Sequence, residues 1–247
     1  MRTTKMSSRD ELIARIEALK DYHPQKDLRD PRLLDLVQEV ASAGTSLPDD
    51  GRFLAELLEK EYDALGNGGD LLVCAALRGA IVGRKIQEAV PVLNRMLLDP
   101  RTMALHEDLA ETLGRMGDES SLPFLVKAIE SPEVWVRAKS AESLGRLGVQ
   151  GAVGPLLSLL QDDSDNVREY AIEALAGMRA SEAVKPLIAL AVTPEEGSWI
   201  RSTAIRALGQ MRAVEAGDLL RKLRDQEDHR DVKKAAAKAL AALNDSK

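Results

Sequence analysis

Apolar and polar residues alternate along most of this chain with the spacing of amphipathic α-helices. In the segment 134–147, Val136, Ala141, Leu144 and Leu147 follow one another at intervals of three to five residues, with charged residues between them. This spacing places the apolar side chains on one face of a helix. A second apolar run, PLLSLL, follows after a short polar stretch. The pattern predicts pairs of helices, here called helix A and helix B, joined by a turn.

The predicted helix pairs repeat along the chain with a nearly fixed period. An arginine that follows a Val or Ile lies near the start of three A helices, at Arg137, Arg168 and Arg201, so the intervals are 31 and 33 residues. Each arginine is followed eight residues later by a small residue: Gly145, Ala176 and Gly209. A period of this length predicts one helix–turn–helix unit that is copied along the chain.

A recurring proline gives the same register for helix B. It occupies four equivalent positions, and an aspartate takes the fifth: Pro91, Pro123, Pro155, Pro186 and Asp218. Proline is tolerated in the first turn of a helix because its missing N–H would have no partner there. We therefore expect helix B to begin at these residues. Gly117 and Gly148 suit a left-handed turn at the end of helix A.

Stacking of the copies is needed because no single copy can bury its apolar face alone. The sequence therefore predicts an all-α fold, a helical-repeat solenoid of antiparallel helix pairs. Residues 71–247 contain five and a half copies, in which 229–247 form the C-terminal cap. Residues 1–70 lack the repeat markers, and we interpret them as divergent N-terminal helices that close the other end of the core.

The divergent region 1–70 contains three further amphipathic segments. We predict a helix capped by Ser8 that runs to about Lys20, and two more helices over Pro31 to Ala43 and Gly51 to Leu65. The segment LGNGGD at 65–70 predicts a flexible linker, because it has neither the spacing of a phosphate-binding loop nor an apolar periodicity.

The pattern DxxVRxxAxxALGxxG, followed by AVxPLLxLL, resembles the HEAT-like repeat of phycobilisome lyase subunits. The resemblance is clearest at 134–163 and 165–192 and covers about residues 71–247. It implies a superhelix of helix pairs. In the lyases, subunits of this repeat type attach or remove bilins and generally work as heterodimers. The repeat also occurs in hydroxylases and in scaffolds, so the resemblance is specific for the fold and not for the function.

Composition limits the partners and the compartment. The 34 basic and 40 acidic residues give a net charge of −6, which argues against a broad nucleic-acid-binding face. The single cysteine, Cys74, lies among apolar residues and is interpreted as a buried, inert thiol, so no intrachain disulfide is expected. The N-terminal residues lack the apolar segment of a signal peptide, and no stretch has the apolar length of a membrane span. We predict a cytoplasmic protein that binds neither nucleic acid nor a membrane.

The recurring arginines permit two interpretations. Arg137, Arg168 and Arg201 could form a basic row for phosphate or carboxylate ligands, or each could pair with acidic residues of the loops and stabilise the stack. We favour the structural interpretation, because the arginine recurs with the repeat itself.

The dipeptide His106-Glu107 resembles the His-Glu repeats of the deoxyhypusine hydroxylase family, in which several such pairs hold a di-iron centre. The equivalent dipeptides here are Arg137-Ala138, Arg168-Glu169, Arg201-Ser202 and Lys233-Lys234. One pair cannot supply the converging ligands that a non-haem iron needs. We therefore predict no metal, no cofactor and no catalytic residue, and interpret His106 as a substitute for the structural arginine.

Two tryptophans occupy equivalent positions, two residues before a repeat arginine. Trp135 and Trp199 lie at a position that holds Asn166 and Asp231 in other copies, so we expect this position to be exposed. Tryptophan is enriched at interaction hot spots. Either the two rings are anchors for a partner, or each lies flat over the neighbouring repeat; the sequence leaves both open.

The B helices carry a second set of candidates. If the third and fourth residues after the proline position point outward, these helices line a groove that is small and apolar in its middle and basic at both ends. Such a groove would suit an amphipathic helix or an extended peptide with acidic flanks. The groove candidates are Arg95, Lys127, Leu159, Leu190 and Lys222. An alternative register of helix B would bury Leu159 and Leu190.

The sequence thus favours a non-catalytic scaffold or adaptor that binds another protein. The alternative is a bilin-lyase-like subunit that attaches or removes a tetrapyrrole together with a partner subunit. The chain is poor in the aromatic residues and histidines that would hold a tetrapyrrole, with 3% aromatic residues and three histidines. Nothing in the pattern fixes the oligomeric state.

Overall fold

The structure, a computed structural model, describes residues 7–22, 31–47 and 51–244. Within these ranges it contains fourteen α-helices, short 3-10 turns and one isolated bridge between Leu65 and Gly69. The predicted all-α helical-repeat solenoid is confirmed. Residues 1–6, 23–30, 48–50 and 245–247, which belong to the predicted N-terminal region and C-terminal cap, lie outside the described part of the chain.

The chain divides into two compact units, one up to Ser121 and one from Leu122 onward, which we call unit 1 and unit 2. In unit 1, helix α4 packs against both α2 and α3, and α5 packs against α6. Its core contains fully buried leucines, among them Leu54, Leu58 and Leu77. The helices of unit 1 are α1 (Ser8–Tyr22), α2 (Pro31–Thr45), α3 (Gly51–Asp63), α4 (Leu71–Arg84), α5 (Val90–Leu97) and α6 (His106–Met116).

Unit 2 contains the most regular repeats. Its A helices α8, α10, α12 and α14 pack side by side in chain order, and each B helix packs against the A helix that follows it. The helices of unit 2 are α7 (Leu122–Ala128), α8 (Val134–Leu147), α9 (Val153–Ser158), α10 (Asp165–Gly177), α11 (Val184–Val192), α12 (Ser198–Gln210), α13 (Gly217–Gln226) and α14 (Arg230–Asn244).

Small residues permit the close packing of neighbouring A helices. A Cβ atom added to Gly145 would lie 2.5 Å from Cβ and 2.8 Å from Cα of Ala174 on the next A helix. The same addition at Gly209 would lie 2.8 Å from Cα of Ala239. Neighbouring A helices therefore approach each other closely at both repeat glycines. A larger side chain there would push two helices apart.

The predicted repeat boundaries also agree with the structure. Pro91 lies in the first turn of α5, as expected for the start of helix B. Gly117 and Gly148 end their A helices in the left-handed conformation, with φ of 72° and 66°. The equivalent residues after α10 and α12 are Arg179 and Arg212, which adopt the same conformation with φ of 52° and 56°.

Two predictions for the N-terminal region are wrong. The cap of α1 is Ser7, not Ser8, because the Ser7 hydroxyl accepts a hydrogen bond from the Asp10 amide at 3.2 Å and donates one to the Asp10 carboxylate at 2.7 Å. The segment 65–70 is a tight turn rather than a flexible linker. The Gly69 amide donates to the Ala64 carbonyl at 2.9 Å, and a Cβ atom at Gly69 would meet the Glu61 carbonyl at 2.4 Å.

The thiol of Cys74 is fully buried, as expected. Burial, with the nearby charges of Glu61 and Asp70, raises the pKa of Cys74 to about 12, which keeps the thiol protonated and unreactive at neutral pH. Across the described ranges, no helix combines the length and the apolar character needed to cross a membrane.

Candidate functional site

The repeat arginines are fixed by contacts within the stack. Arg137 donates from Nε and Nη2 to the two carboxylate oxygens of Asp162, at 2.8 and 2.9 Å, and from Nη1 to the Ser131 carbonyl at 3.0 Å. Ser131 precedes helix α8, and Asp162 follows the next B helix. The arginine therefore joins the loop before its own repeat to the loop after it.

Arg168 and Arg201 repeat this arrangement. Arg168 donates to the Asp162 carbonyl at 2.7 Å and to the Glu196 carboxylate at 3.1 Å, while Arg201 donates to the Ala191 carbonyl at 3.1 Å and pairs with Glu227. All three guanidinium groups thus form hydrogen bonds within unit 2, although Nε of Arg168 is buried without a partner among the described residues. The structural interpretation of the arginines is confirmed, and they do not form an open basic row.

His106 contacts the loop before its helix in a similar way. Its Nε2 atom lies 2.9 Å from the Asp99 carbonyl oxygen and 3.4 Å from the Thr102 hydroxyl. This is the type of contact that Arg137, Arg168 and Arg201 make with the preceding loop, so the interpretation of His106 as a substitute for the arginine is supported. Among the residues that the structure describes, no group of three or more His, Cys, Asp or Glu residues is placed to hold a metal ion.

The two tryptophans occupy equivalent places in unit 2. Trp135 is the second residue of α8 and Trp199 the second residue of α12, and their exposed fractions are 48% and 50%. The indole Nε1 of Trp199 donates to Glu169 Oε1 on α10 at 2.9 Å. This bond fixes one edge of the ring against the preceding repeat. Half of each side chain remains open to solvent.

The tryptophans belong to a longer stripe on the A helices. Residues four, seven and eleven positions after each tryptophan position lie on the same side of the helix. We call this surface the A face of unit 2. It consists of Trp135, Lys139, Glu142 and Arg146 on α8, Asn166, Tyr170, Glu173 and Gly177 on α10, and Trp199, Arg206 and Gln210 on α12; Thr203, four residues after Trp199, is buried and is left out.

An open cleft of about 240 Å³ lies on the A face between α8 and α10. It is present because three small residues line it where larger ones would fill it: Gly145, Ala174 and Gly177. The remaining lining residues are Glu142, Arg146, Tyr170 and Glu173. A smaller cavity of about 50 Å³ lies between α10 and α12, and Glu173 contributes to it as well. Glu173 therefore lies between the two depressions.

The charges around the cleft are unevenly paired. Glu142 contacts both Lys139 at 3.1 Å and Arg146 at 2.6 Å. Glu173 makes no ion pair or hydrogen bond with any residue that the structure describes. Burial raises the pKa of Glu173, and the charges of Glu169 and Glu142 add to that rise more than Arg206 offsets it. Of the two carboxylates that line the cleft, Glu173, an exposed residue, is the one without an ion pair among the described residues.

The predicted groove on the B helices is not present. Leu159 and Leu190 are 6% and 5% exposed, so the expectation that these two residues point outward is wrong. The polypeptide after α9 continues as a 3-10 turn over Leu159–Gln161, and this turn packs against α10. Leu190, at the equivalent position of the uninterrupted helix α11, is buried as well, so the face that helix B turns to the core, and not the 3-10 turn, accounts for the burial of both leucines. Without these leucines the middle of the groove has no apolar surface.

The three charged groove candidates belong to different units. Lys127 on α7 and Lys222 on α13 are exposed in unit 2. Arg95 belongs to unit 1, where its guanidinium contacts Glu59 at 2.6 Å and lies 5.5 Å from the ring centre of Tyr62. Within unit 2, Trp135 and Trp199 occupy equivalent places at the starts of α8 and α12.

Sequence reasoning missed Tyr170 and Glu173. They lie four and seven residues after Asn166, the polar member of the tryptophan position, so a helical stripe drawn from that position would have included them. No sequence pattern indicates the cleft itself, because the cleft depends on how two neighbouring helices pack.

Comparison with known proteins agrees with the repeat register. The family model described as HEAT repeats matches residues 70–145, 104–168 and 153–241, which together cover more than half of the chain. Comparison with curated proteins found no match.

Solved structures of low sequence identity resemble the fold. A crystal structure of an engineered protein is 20% identical with a TM-score of 0.50, and the match covers 93% of this chain and 96% of that one. Human deoxyhypusine hydroxylase is 18% identical with a TM-score of 0.47, covering 96% and 97%. The CpcE–CpcF complex of phycocyanin lyase from a Nostoc species is 22% identical with a TM-score of 0.48, covering 83% and 76%. At such identities, similarity extends to the fold alone.

Proposed function

The chain belongs to the HEAT-repeat family, and we propose that it is a non-catalytic adaptor that binds another protein through the A face of unit 2. The observation that carries this proposal is the half-exposed state of Trp135 and Trp199 at a position that is polar in other copies. Exposed apolar surface costs roughly 25 cal/mol per Å². Two tryptophans in equivalent exposed places therefore favour a surface that a partner covers.

The composition of the A face supports a protein partner. Tryptophan, tyrosine and arginine are enriched at protein interfaces, and all three types occur on this face. The net charge of −6 favours a protein over nucleic acid. The arginines that repeat along the stack are used internally, so they do not supply a phosphate-binding row. We further propose that the protein acts in the cytoplasm.

The bilin-lyase alternative rests on the repeat pattern, and no contact in the described residues favours it over an adaptor. Protein purified from its native cells would test it directly. Visible absorbance from a bound tetrapyrrole, present at one molecule per chain, would replace the adaptor proposal with the lyase one.

The experiment for the adaptor proposal uses the full chain as bait to isolate a partner from native cells, followed by affinity measurements with the purified pair. We expect Trp135→Ala and Trp199→Ala each to weaken binding by about 2 kcal/mol or more. Thermal stability should change little, because half of each ring is already exposed. Val214→Ala is the matched control: Val214 is 74% exposed in unit 2 but lies outside the A face.

The opposite pattern would contradict the proposal. If the rings serve to cover the repeats, each alanine variant should lose about 3–5 kcal/mol of stability, as for a truncated buried aromatic residue. The folded fraction would then bind the partner as tightly as the parent chain does.

A further inference from the structure

We propose that the cleft between α8 and α10 binds an arginine side chain of the partner protein, and that Tyr170 and Glu173 recognise it. This inference rests on the proposed function, since the cleft belongs to the A face, and it adds the chemistry of the partner. It differs from the acidic flanks that the predicted B-helix groove would have favoured.

The size and openness of the cleft suit a guanidinium group. Its volume of about 240 Å³ compares with a share of about 30 Å³ for one water molecule in the liquid. A guanidinium with part of its aliphatic stem can therefore enter without moving a helix. A Cβ atom placed on Gly177 would meet nothing within 4 Å, so the space over this glycine is unobstructed. Gly145 and Ala174, in contrast, are in mutual contact and form the base of the cleft.

The charges favour a cation next to Glu173 rather than elsewhere in the cleft. Glu142 is already neutralised by Lys139 and Arg146, and Arg146 lines the cleft on the α8 side. On the α12 side, Arg206 donates to the Thr203 hydroxyl at 2.8 Å instead of contacting Glu173. Glu169 on α10 accepts the Trp199 indole N–H, a neutral donor that adds no positive charge beside it. An incoming cation is therefore attracted by Glu173 and Glu169, and the nearby charge of Arg206 offsets part of that attraction.

The aromatic residues of the A face select arginine among cations. Tyr170 contributes its ring to the cleft, and the Lys139 ammonium already lies 5.4 Å from the centre of that ring. The ring thus accommodates a cation within the folded chain. A guanidinium can stack on an aromatic ring and donate two parallel hydrogen bonds to a carboxylate, whereas an ammonium cannot do both. Trp199 does not line the cleft, but its indole N–H is bonded to Glu169, one helical turn before Glu173 on α10.

The test is a titration of the full chain with four acetylated and amidated peptides. They share one sequence of glycine and leucine residues and differ at the central residue, which is arginine, lysine, citrulline or glutamate. Citrulline has the shape of arginine without its charge. Because the chain contains two tryptophans, the two indole N–H signals in a nitrogen-15 NMR spectrum report binding at the A face. We expect the arginine peptide to shift the Trp199 signal and to bind about tenfold more tightly than the citrulline peptide.

Two variants change the cleft in different ways. Glu173→Gln removes the charge and keeps the size of the side chain, and it should reduce the preference for arginine over citrulline to about one. Gly177→Leu fills the cleft from a position with free space, and it should abolish binding of the arginine peptide. The matched controls are Glu182→Gln, an exposed carboxylate of unit 2 outside the A face, and Gly154→Leu on α9, where a Cβ atom also meets nothing within 4 Å. Melting temperatures verify that all four variants are folded.

The outcomes separate this inference from the proposed function. Equal binding of the arginine and glutamate peptides, unchanged binding after Glu173→Gln, or no binding of the arginine peptide would overturn the inference. If Trp135→Ala and Trp199→Ala weaken binding of the isolated partner while Glu173→Gln does not, the adaptor proposal stands and the cleft assignment is wrong. If the tryptophan variants leave partner binding unchanged, the proposed function is wrong.

Discussion

Arg137 and Asp162 form a two-point ion pair that spans a full repeat, with Nε and Nη2 of the arginine 2.8 and 2.9 Å from the two carboxylate oxygens. The two residues are 25 positions apart in sequence, and both side chains are largely buried, with exposed fractions of 16% and 9%. Asp162 also accepts a hydrogen bond from Arg168 through its main-chain carbonyl. One loop residue therefore connects the arginines of two consecutive repeats.

We predict that Arg137→Met destabilises the protein by about 2–3 kcal/mol, because it leaves the Asp162 carboxylate largely buried without its cation. Equilibrium unfolding in urea measures this loss. Arg221→Met is the control, since Arg221 forms an exposed pair with Asp218 on a single helix and should change stability little. Equal losses for the two variants would contradict a special role for the inter-loop arginine.

Acid should weaken the inter-loop pairs. Hydrogen bonds from Arg201 lower the pKa of Glu227 against the opposing effect of burial, and in Asp162 the bonds from Arg137 and Ser164 outweigh burial and lower its pKa too. A lowered folded-state pKa gives stability that is complete above the unfolded pKa, near 4, and is lost as the pH falls through the folded value.

We therefore expect the melting temperature to fall on acidification below about pH 5. Glu227→Gln should be less stable than the parent at pH 7 and should lose less stability on acidification. Glu215→Gln, at an exposed position before α13, serves as the control and should follow the parent. Parallel curves for the parent and Glu227→Gln would refute the assignment.

Truncation of Leu190 tests the corrected position of the B helices. Leu190 is 5% exposed, and Val192 on the same helix is 44% exposed. We predict that Leu190→Ala costs about 2–5 kcal/mol of stability, whereas Val192→Ala costs less than about 1 kcal/mol. Thermal or urea unfolding distinguishes the two. If Leu190 lay on the surface, the loss of stability would instead be larger for Val192→Ala than for Leu190→Ala.

The repeat pattern predicted the fold correctly because each marker residue, such as the glycine of helix A or the proline of helix B, meets a requirement of its own position in the repeat. Gly145 recurs where two A helices touch, and Pro91 recurs where helix B begins, so each can be recognised without knowledge of its neighbours. Leu159 and Leu190 were placed in a groove on the condition that the third and fourth residues after the proline position point outward, whereas both are buried. The proline marks where helix B begins and not which of its faces meets the core. The cleft at Tyr170 and Glu173 depends on packing between two helices, which one-dimensional spacing does not contain.

The left-handed residue after α10 offers a gain in stability. Arg179 has a φ of 52°, and the equivalent residue after α8 is Gly148 with a φ of 66°. A side chain in this conformation costs roughly 1–2 kcal/mol, and glycine avoids that cost while losing some entropy on folding. We predict that Arg179→Gly stabilises the protein by about 0.5 kcal/mol and that Gly148→Ala destabilises it by about 1 kcal/mol. Calorimetry that found both changes destabilising would contradict this account.

His106→Arg tests whether the first histidine of the repeats has the role of the arginine. The Nε2 atom of His106 contacts the Asp99 carbonyl at 2.9 Å, a main-chain acceptor in the loop before α6, as Arg137 contacts Ser131 before α8. A guanidinium can donate to the same carbonyl, so we expect the arginine variant to fold and to keep or slightly raise its melting temperature. His106→Ala should lower the free energy of unfolding by about 1 kcal/mol, because the contact to the carbonyl disappears.

Purified parent protein should also contain no stoichiometric iron or zinc by elemental analysis. Metal at one equivalent per chain that is lost in His106→Arg would show instead that this histidine is a ligand.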